Sequence, residues 1–215
     1  MKPDPTITFY GTVYNSAKYI KRSLSSIAET ALELRKYRLV SEIVIVDNYS
    51  DDGTWEIMNE LKRIYAEKGV NIRLIRFKCS RGLGRDIALR LSRGKYLYFI
   101  TDLDLEYVPQ KLSTIILNYL RVASSFPEDK PPCFYIFVTP RDVALKVGGI
   151  HDFNRAEDIE FGARLTKRCV ILHVLEDYRS VQFNEFMRSL DVIIKPRFFI
   201  HTYLSERRYV KGLKD

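Results

Sequence analysis

The sequence lacks the features that mark membrane-spanning, disulfide-rich and zinc-binding proteins. Its longest uninterrupted apolar runs, such as residues 43–46 and 96–100, are far shorter than the roughly 20 residues that a helix needs to cross a bilayer. The three cysteines, Cys79, Cys133 and Cys169, include no CxxC pair, which argues against a disulfide framework and a structural zinc site. The first five residues hold no apolar signal core, so a cytoplasmic protein is expected.

The composition is that of a soluble globular protein. Of its 215 residues, 46% are hydrophobic and 29% are charged, which suits a single domain around one sizeable core. Lys and Arg number 35 against 27 Asp and Glu, a net charge of +8. Such a surface favours anionic partners, namely nucleotides, lipid phosphates or nucleic acid.

The first half of the chain alternates strand patterns with helix patterns. Apolar, β-rich runs predict strands over 6–14, 42–47, 71–77 and 96–101, and three-and-four spacing predicts helices over 16–36, 51–68, 84–92 and 109–122. Repeated βα units imply an α/β fold with a mostly parallel sheet and helices on both faces.

The second half is less regular. A polar, proline-rich loop over 124–132 precedes a predicted strand over 133–139. The pair Gly148-Gly149 marks a turn, and the remaining elements predicted are a helix over 156–167, a strand over 169–175 and a short helix over 183–190. The tail beyond interleaves aromatic and basic residues.

Polar residues follow four of the predicted strands, at 12–15, 47–50, 79–82 and 102–104. Ligands of open parallel sheets bind beyond the carboxyl ends of the strands. The four segments are therefore expected to converge on one rim.

Two carboxylates in that set are one residue apart. Asp102 and Asp104 directly follow an apolar strand, where they cannot lie side by side without a cation between them or a proton on one. Oxygen ligands suit Mg²⁺ or Mn²⁺, which also bridge to substrate phosphates. Glu106 is a candidate third ligand, directly or through water.

Other rim residues suit a nucleotide. The carboxylate of Asp47 can accept hydrogen bonds from a base or sugar, while Asp51 and Asp52 are interpreted as turn and cap residues of the next helix. The segment from Arg81 through Gly82 to Arg85 combines two guanidinium groups, flexible backbone and a helix N-terminus, which suits a pyrophosphate. It is not a Walker loop and lacks the Gly-x-Gly-x-x-Gly fingerprint.

Seven motifs occur together in an order that resembles a known family. They are 12–15 (TVYN), 46–54 (VDNYSDDGT), 81–84 (RGLG), 93–96 (RGKY), 102–105 (DLDL) with Pro109, 148–150 (GGI) and 157–160 (EDIE). In order and approximate spacing they resemble the family 2 glycosyltransferases, over residues 6–167. The resemblance implies the Rossmann-like GT-A fold in a single domain, with a nucleotide-sugar half at 1–107 and an acceptor half at 108–215.

The resemblance also implies roles for single residues. Those matching the base- and ribose-binding elements are Thr12, Val13, Tyr14, Asn15, Asp47 and Asn48. The segment Asp102, Leu103 and Asp104 matches the Asp-x-Asp that binds a divalent cation and the diphosphate, and Asp158 matches the general base. Asn48 stands where many relatives have a second acidic residue, which leaves UDP, GDP and dTDP open.

The implied activity is metal-dependent transfer of a sugar, with inversion, from a nucleoside-diphosphate sugar. The segments at 81–84 and 102–106 resemble the branch that uses polyprenyl-phosphate acceptors, whereas the pair Glu157-Asp158 points to the wider family with saccharide or other hydroxyl acceptors. Both acceptor classes stay open. The basic, aromatic tail would suit docking at the inner face of an acidic membrane.

Three alternatives remain. A nucleic-acid-binding protein fits the positive charge but lacks a recognisable reading motif. A nucleotidyltransferase that makes nucleotide sugars would share the layout, but residues 11–15 lack the usual cations. A third is a family member that binds donor without transferring sugar. His173 and His201 are interpreted as structural histidines rather than metal ligands.

Overall fold

The computed structural model describes residues 4–100, 103–134, 137–153, 155–172 and 182–183. The strands in these residues are β1 (Ile7–Val13), β2 (Ser41–Asp47), β3 (Asn71–Arg76), β4 (Tyr96–Phe99), β5 (Glu106–Tyr107), β6 (Pro132–Cys133), β7 (Val138–Pro140), β8 (Val170–Ile171) and β9 (Gln182–Phe183). The helices are α1 (Ala17–Arg35), α2 (Thr54–Glu67), α3 (Arg81–Leu91), α4 (Pro109–Ala123), α5 (Arg141–Lys146) and α6 (Glu157–Leu165).

The central sheet has the strand order β3-β2-β1-β4-β7. The first four strands run parallel, and β7 joins β4 antiparallel. Two small sheets pair β5 with β9 and β6 with β8. The register sets Val13 beside Asp47 and Asp47 beside Arg76, so the carboxyl ends of β1, β2 and β3 reach the same edge.

Helices cover both faces of this sheet because side chains alternate along each buried strand. From β1, Ile7 and Phe9 pack into a core with α1, α2 and α4. Tyr10 faces the other way and packs into a second core with α3, α5 and α6. The expected mostly parallel α/β sheet with helices on both faces is confirmed.

A side-chain cap places the start of α3 three residues earlier than the sequence pattern predicts. The third helix begins at Arg81 rather than at residue 84, because the hydroxyl of Ser80 accepts the amide of Leu83 at 3.0 Å and caps the first turn.

The prediction of one strand over 133–139 is wrong. These residues contribute to two separate strands, β6 and β7, rather than to one. Between those strands the backbone N–H of Phe137 donates to the carbonyl of Phe134 at 2.9 Å, and the two rings pack 5.6 Å apart. Helix α5 has no counterpart in the sequence prediction. Phe183 lies in β9 rather than in a helix, and 184–190 lie outside the described residues.

Cys133 and Cys169 form a disulfide with their Cα atoms 5.6 Å apart, which overturns the expectation drawn from the cysteine pattern. The parallel pairing of β6 with β8 brings the two cysteines together across 36 residues of sequence. A pairing between such distant strands leaves no local signal in the sequence.

In the part of the chain that the structure describes, no helix is both long and apolar enough to cross a membrane.

Candidate functional site

The site is built around Asp47, the last residue of β2. Its carboxylate is fully buried and accepts hydrogen bonds from the hydroxyl of Ser50 at 2.5 Å and from the Ser50 amide. Nε of Arg76, at the end of β3, lies 3.3 Å from Oδ2 of Asp47. The guanidinium of Arg76 also lies 5.1 Å from the ring centroid of Tyr49 and 5.3 Å from that of Trp55. A buried charge is thus paired and hydrogen-bonded, as burial requires.

Two asparagines join neighbouring strand ends. The backbone N–H of Asn15 donates to Oγ of Ser50 at 3.0 Å, and the side-chain Oδ1 of Asn15 accepts the backbone N–H of Asp51 at 3.1 Å. Oδ1 of Asn48 accepts the amide of Cys79 at 2.8 Å. The loops after β1, β2 and β3 are therefore brought together at one edge, as the sequence predicts.

Thr12 and Val13, the last residues of β1, and Tyr14, which follows them, differ in how far their side chains are exposed. Oγ1 of Thr12 donates to the carbonyl of Val46, and the side chain of Val13 packs in the apolar core. Tyr14 is 54% exposed. Tyr14 is therefore the side chain of these three that a ligand reaches from solvent.

Several residues at this rim have left-handed backbone conformations, which are strained for residues other than glycine. Non-glycine residues with positive φ include Asn15, Tyr49, Leu103 and Ala156, and all four lie in the predicted site segments or directly before α6. The left-handed region costs such residues roughly 1–2 kcal/mol each. Strain held in place by surrounding contacts is typical of functional sites.

The acidic segment after β4 is described in part. Leu103 is buried with φ 55°, and Asp104 is buried directly after it. Glu106 does not join them, because its carboxylate pairs with Nη2 of Arg22 at 2.5 Å. Asp102 lies outside the described residues, as do His173 and His201. Within the described ranges no three acidic, histidine or cysteine side chains converge as a metal site.

The segment predicted to hold a pyrophosphate lies against the later part of the chain. The amide of Gly82 donates to the carbonyl of Phe153 at 2.9 Å, and a Cβ at Gly82 would lie 2.6 Å from the amide nitrogen of Phe153. The side chain of Arg81 is exposed. Arg85 is buried, 4.7 Å from the ring centroid of Phe99, and pairs with the carboxylate of Glu157. A nucleotide contact from these three residues stays a prediction.

The pair Glu157-Asp158 opens α6, and its two carboxylates differ sharply. Glu157 is 1% exposed, and burial raises its pKa although the charge of Arg85 opposes the shift. Its Oε2 has no hydrogen-bond partner among the described residues. Asp158 is half-buried, and its Oδ1 accepts the amide of Ile159 at 2.9 Å. Of the two, Asp158 is therefore the one that a substrate can reach.

Cys79 is the free cysteine of the described residues. Burial, reinforced by the charges of Asp152 and Asp47, raises the pKa of the Cys79 thiol to about 11. The group is a thiol at neutral pH, and a thiol is a weak nucleophile.

Sequence reasoning gave no role to Ser50 or Arg76, the residues that hold Asp47. The spacing of Ser50, three residues after Asp47, is that of a side-chain turn and was an available signal. Arg76 carried no such signal, because only the parallel register places it beside Asp47.

The chain belongs to glycosyl transferase family 2, whose family model matches residues 12–122. The matched segment runs from the end of β1 to α4 and contains Asn15, Asp47 and Asp104. Asp158 lies beyond it.

Solved glycosyltransferases share the fold. S. aureus TarS 1-349 in complex with UDP is 18% identical with a TM-score of 0.58, over 78% of this chain and 57% of that one. TarS 1-349 in complex with UDP-GlcNAc is 17% identical with a TM-score of 0.60, and the match covers 78% of this chain and 56% of that one. The mannosyltransferase PcManGT from Pyrobaculum calidifontis, in complex with GDP-Man and Mn²⁺, is 20% identical with a TM-score of 0.56. That match covers 80% of this chain and 55% of the mannosyltransferase. The chain thus spans just over half the length of these structures, and the expected GT-A fold is confirmed.

Proposed function

We propose that this protein is a metal-dependent, inverting glycosyltransferase that moves a sugar from a nucleoside-diphosphate sugar to a hydroxyl or polyprenyl-phosphate acceptor. The observation that carries the proposal is the extent of the family match. Residues 12–122 include the ends of β1, β2, β3 and β4, which is the edge where ligands of parallel sheets bind.

The donor's nucleoside is assigned to the loops after β1 and β2. Asn15 and Asp47 stand at the joined strand ends, and Tyr14 offers an exposed ring beside them. The similar structures hold UDP, UDP-GlcNAc and GDP-Man, so uridine and guanosine diphosphates are the first donors to test.

The diphosphate is assigned to Asp102 and Asp104 with Mg²⁺ or Mn²⁺. Asp104 is a buried carboxylate in the segment that follows β4, and oxygen donors of this kind suit both ions. PcManGT was solved with Mn²⁺. A bound divalent ion would stabilise the negative charge that develops on the departing diphosphate. Glu106 would have to leave Arg22 to serve as a third ligand.

Asp158 is proposed as the general base. The acceptor oxygen forms a bond to the anomeric carbon as the bond from that carbon to the diphosphate breaks, and Asp158 accepts the proton of a hydroxyl acceptor or of water. A phosphate acceptor would attack through an oxygen that is already ionised and would need no such base. One displacement inverts the anomeric centre. A covalent sugar trapped on the protein would contradict this step.

Residues 1–107 are assigned to the donor and 108–215 to the acceptor. The tail is proposed to contact an acidic membrane surface, where each Lys or Arg contributes about 1 kcal/mol.

Thermal unfolding with a panel of nucleotides tests donor binding. UDP, GDP and dTDP and their sugars are added with and without Mn²⁺ to wild type, to Asp104→Asn and to the control Asp142→Asn, which changes an exposed side chain of α5. A ligand at 100 times its dissociation constant stabilises by about 2.7 kcal/mol. We expect one nucleotide to stabilise wild type and the control only with metal. If no nucleotide or ion changes the unfolding temperature of wild type, the proposal is contradicted, and binding of nucleic acid and lipid would be tested next.

Release of nucleoside diphosphate from the matching sugar donor tests the chemistry. Water serves as the acceptor, so no acceptor need be known. Because general base catalysis typically contributes about 10²–10⁴-fold, Asp158→Asn should lower kcat by that factor while the KM for donor stays unchanged. The control Asp142→Asn should behave as wild type, and equal turnover by Asp158→Asn would rule out the assigned base.

A further inference from the structure

Helix α3 carries a polar stripe that faces the chain leading into α6. Gly82, Arg85, Asp86 and Arg90 are spaced three and four residues apart, so they lie on one face of the helix. This stripe contacts residues 148–157 at four places. The backbone N–H of Gly82 donates to the carbonyl of Phe153 at 2.9 Å, and Arg85 pairs with Glu157. The backbone N–H of Ile150 donates to Oδ1 of Asp86 at 2.9 Å, and Nη2 of Arg90 donates to the carbonyl of Gly148 at 2.9 Å.

The contact between Arg85 and Glu157 differs from the others because it is a buried ion pair. Arg85 is 3% exposed and Glu157 is 1% exposed. Removing two charges from water costs about as much as their attraction returns, so apolar residues of similar size would stabilise the fold at least as well. The pair is therefore better explained by the orientation that it imposes than by stability.

The start of α6 needs such an orientation. Ala156 precedes the helix with φ 60° and, as an alanine, supplies no side-chain cap to the first turn. Successive residues of a helix point about 100° apart around its axis. Fixing Glu157 inward against α3 thus turns its neighbour Asp158 to a different side, where that carboxylate is half-buried rather than buried.

We propose that Arg85 is a positioning residue: through Glu157 it sets the first turn of α6 and thereby aims Asp158 at the acceptor. The inference rests on the proposed function, because Asp158 matters only if a proton must be taken from an acceptor. Arg85 also lies against the ring of Phe99, the last residue of β4. One guanidinium therefore connects the strand that leads to Asp104 with the helix that carries Asp158.

The test replaces the whole pair with apolar residues, as Arg85→Met with Glu157→Leu. This double variant removes the orientation without leaving one charge buried alone, so it is expected to fold with an unfolding temperature at or above that of wild type. In the donor-release assay its kcat should fall about 10–100-fold, since small misplacements of reacting groups cost that much. The KM for donor should change less than about threefold, because Arg85 is buried against Glu157 and the nucleoside loops are untouched. A larger rise in the KM would favour the pyrophosphate contact predicted for Arg85 and would count against the positioning role.

Arg93→Met is the matched control. Arg93 pairs with Glu42, a carboxylate 1% exposed, at 3.0 Å, near the start of β2 and β4 and at the opposite end of the sheet. Losing this pair should lower the unfolding temperature and leave kcat unchanged. A double variant that keeps the wild-type kcat would overturn the positioning role while leaving the proposed function standing.

Amide hydrogen exchange without ligand gives a readout that does not need turnover. In the double variant, exchange in residues 157–161 should become at least about tenfold faster, while β1 and β2 stay protected. Unchanged exchange in α6 would overturn the inference even if no nucleotide sugar is turned over. If no nucleotide stabilises wild type against thermal unfolding, that result would instead count against the proposed function.

Discussion

At the scale of single residues, the buried carboxylate of Asp47 is the most consequential group at the rim. It accepts hydrogen bonds from the backbone N–H and the hydroxyl of Ser50, and it lies 3.3 Å from Nε of Arg76. A substitution of Asp47 therefore changes a buried, paired group. Its side chain is fully buried by the surrounding protein and holds the loop after β2 through Ser50.

Asp47→Asn is expected to lower the free energy of unfolding by about 1–3 kcal/mol, because Arg76 would face an amide instead of a carboxylate. It should also reduce the nucleotide-dependent thermal shift. Urea unfolding and the nucleotide panel measure the two effects. Asp51→Asn, an exposed aspartate in the same loop, is the control and should change neither. Wild-type stability in Asp47→Asn would show that the buried charge is dispensable.

At the scale of elements, Asp52 links the beginnings of two helices. Its carboxylate accepts the amide of Ala17, the first residue of α1, at 2.9 Å, and the amide of Thr54, the first residue of α2, at 3.1 Å. The expectation that this aspartate is a cap and turn residue is confirmed. Burial acts in the opposite direction, but donation from the Thr54 hydroxyl and these amides holds the pKa of Asp52 below its ordinary value of 3.8.

Asp52→Ala is expected to lower the free energy of unfolding by about 1 kcal/mol at neutral pH, the usual contribution of a capping side chain. Because the pKa of Asp52 is lower in the folded state, its contribution is fully present above pH 3.8 and is lost as the pH falls through the lowered value. Urea unfolding of both proteins across acidic pH measures this. A stability difference that grows as the pH falls would contradict the sign.

At the scale of the whole molecule, the disulfide ties the chain after α6 to the strand β6. It closes a loop across 36 residues that includes α5 and α6. The cross-link thus encloses the segment that carries Glu157 and Asp158. It limits the freedom of the unfolded chain more than it adds contacts to the folded one.

Cys133→Ala with Cys169→Ala should lower the free energy of unfolding by about 3–4 kcal/mol, as a loop of this length predicts. Reductant should destabilise wild type by a similar amount and leave the double variant unaffected. Urea unfolding with and without dithiothreitol measures both. Cys79→Ala, at the free cysteine, is the control and should keep the wild-type response to reductant. A wild type indifferent to reductant would mean that the bond contributes nothing.

The layered α/β fold could be predicted from the sequence, because the periods of β1 to β4 and of their helices are local properties of the chain. The sequence also indicated which strand ends carry polar residues, since parallel strands place those ends at one edge. Both conclusions needed only spacing and residue type.

Which of these residues contact one another depends on the tertiary structure. The partners of Asp47, Glu106 and Glu157 are Arg76, Arg22 and Arg85, which lie between 29 and 84 positions away along the chain. The same holds for the pairing of Cys133 with Cys169. Such contacts depend on strand register and helix packing, to which residues far apart in sequence contribute jointly, so no local pattern encodes them.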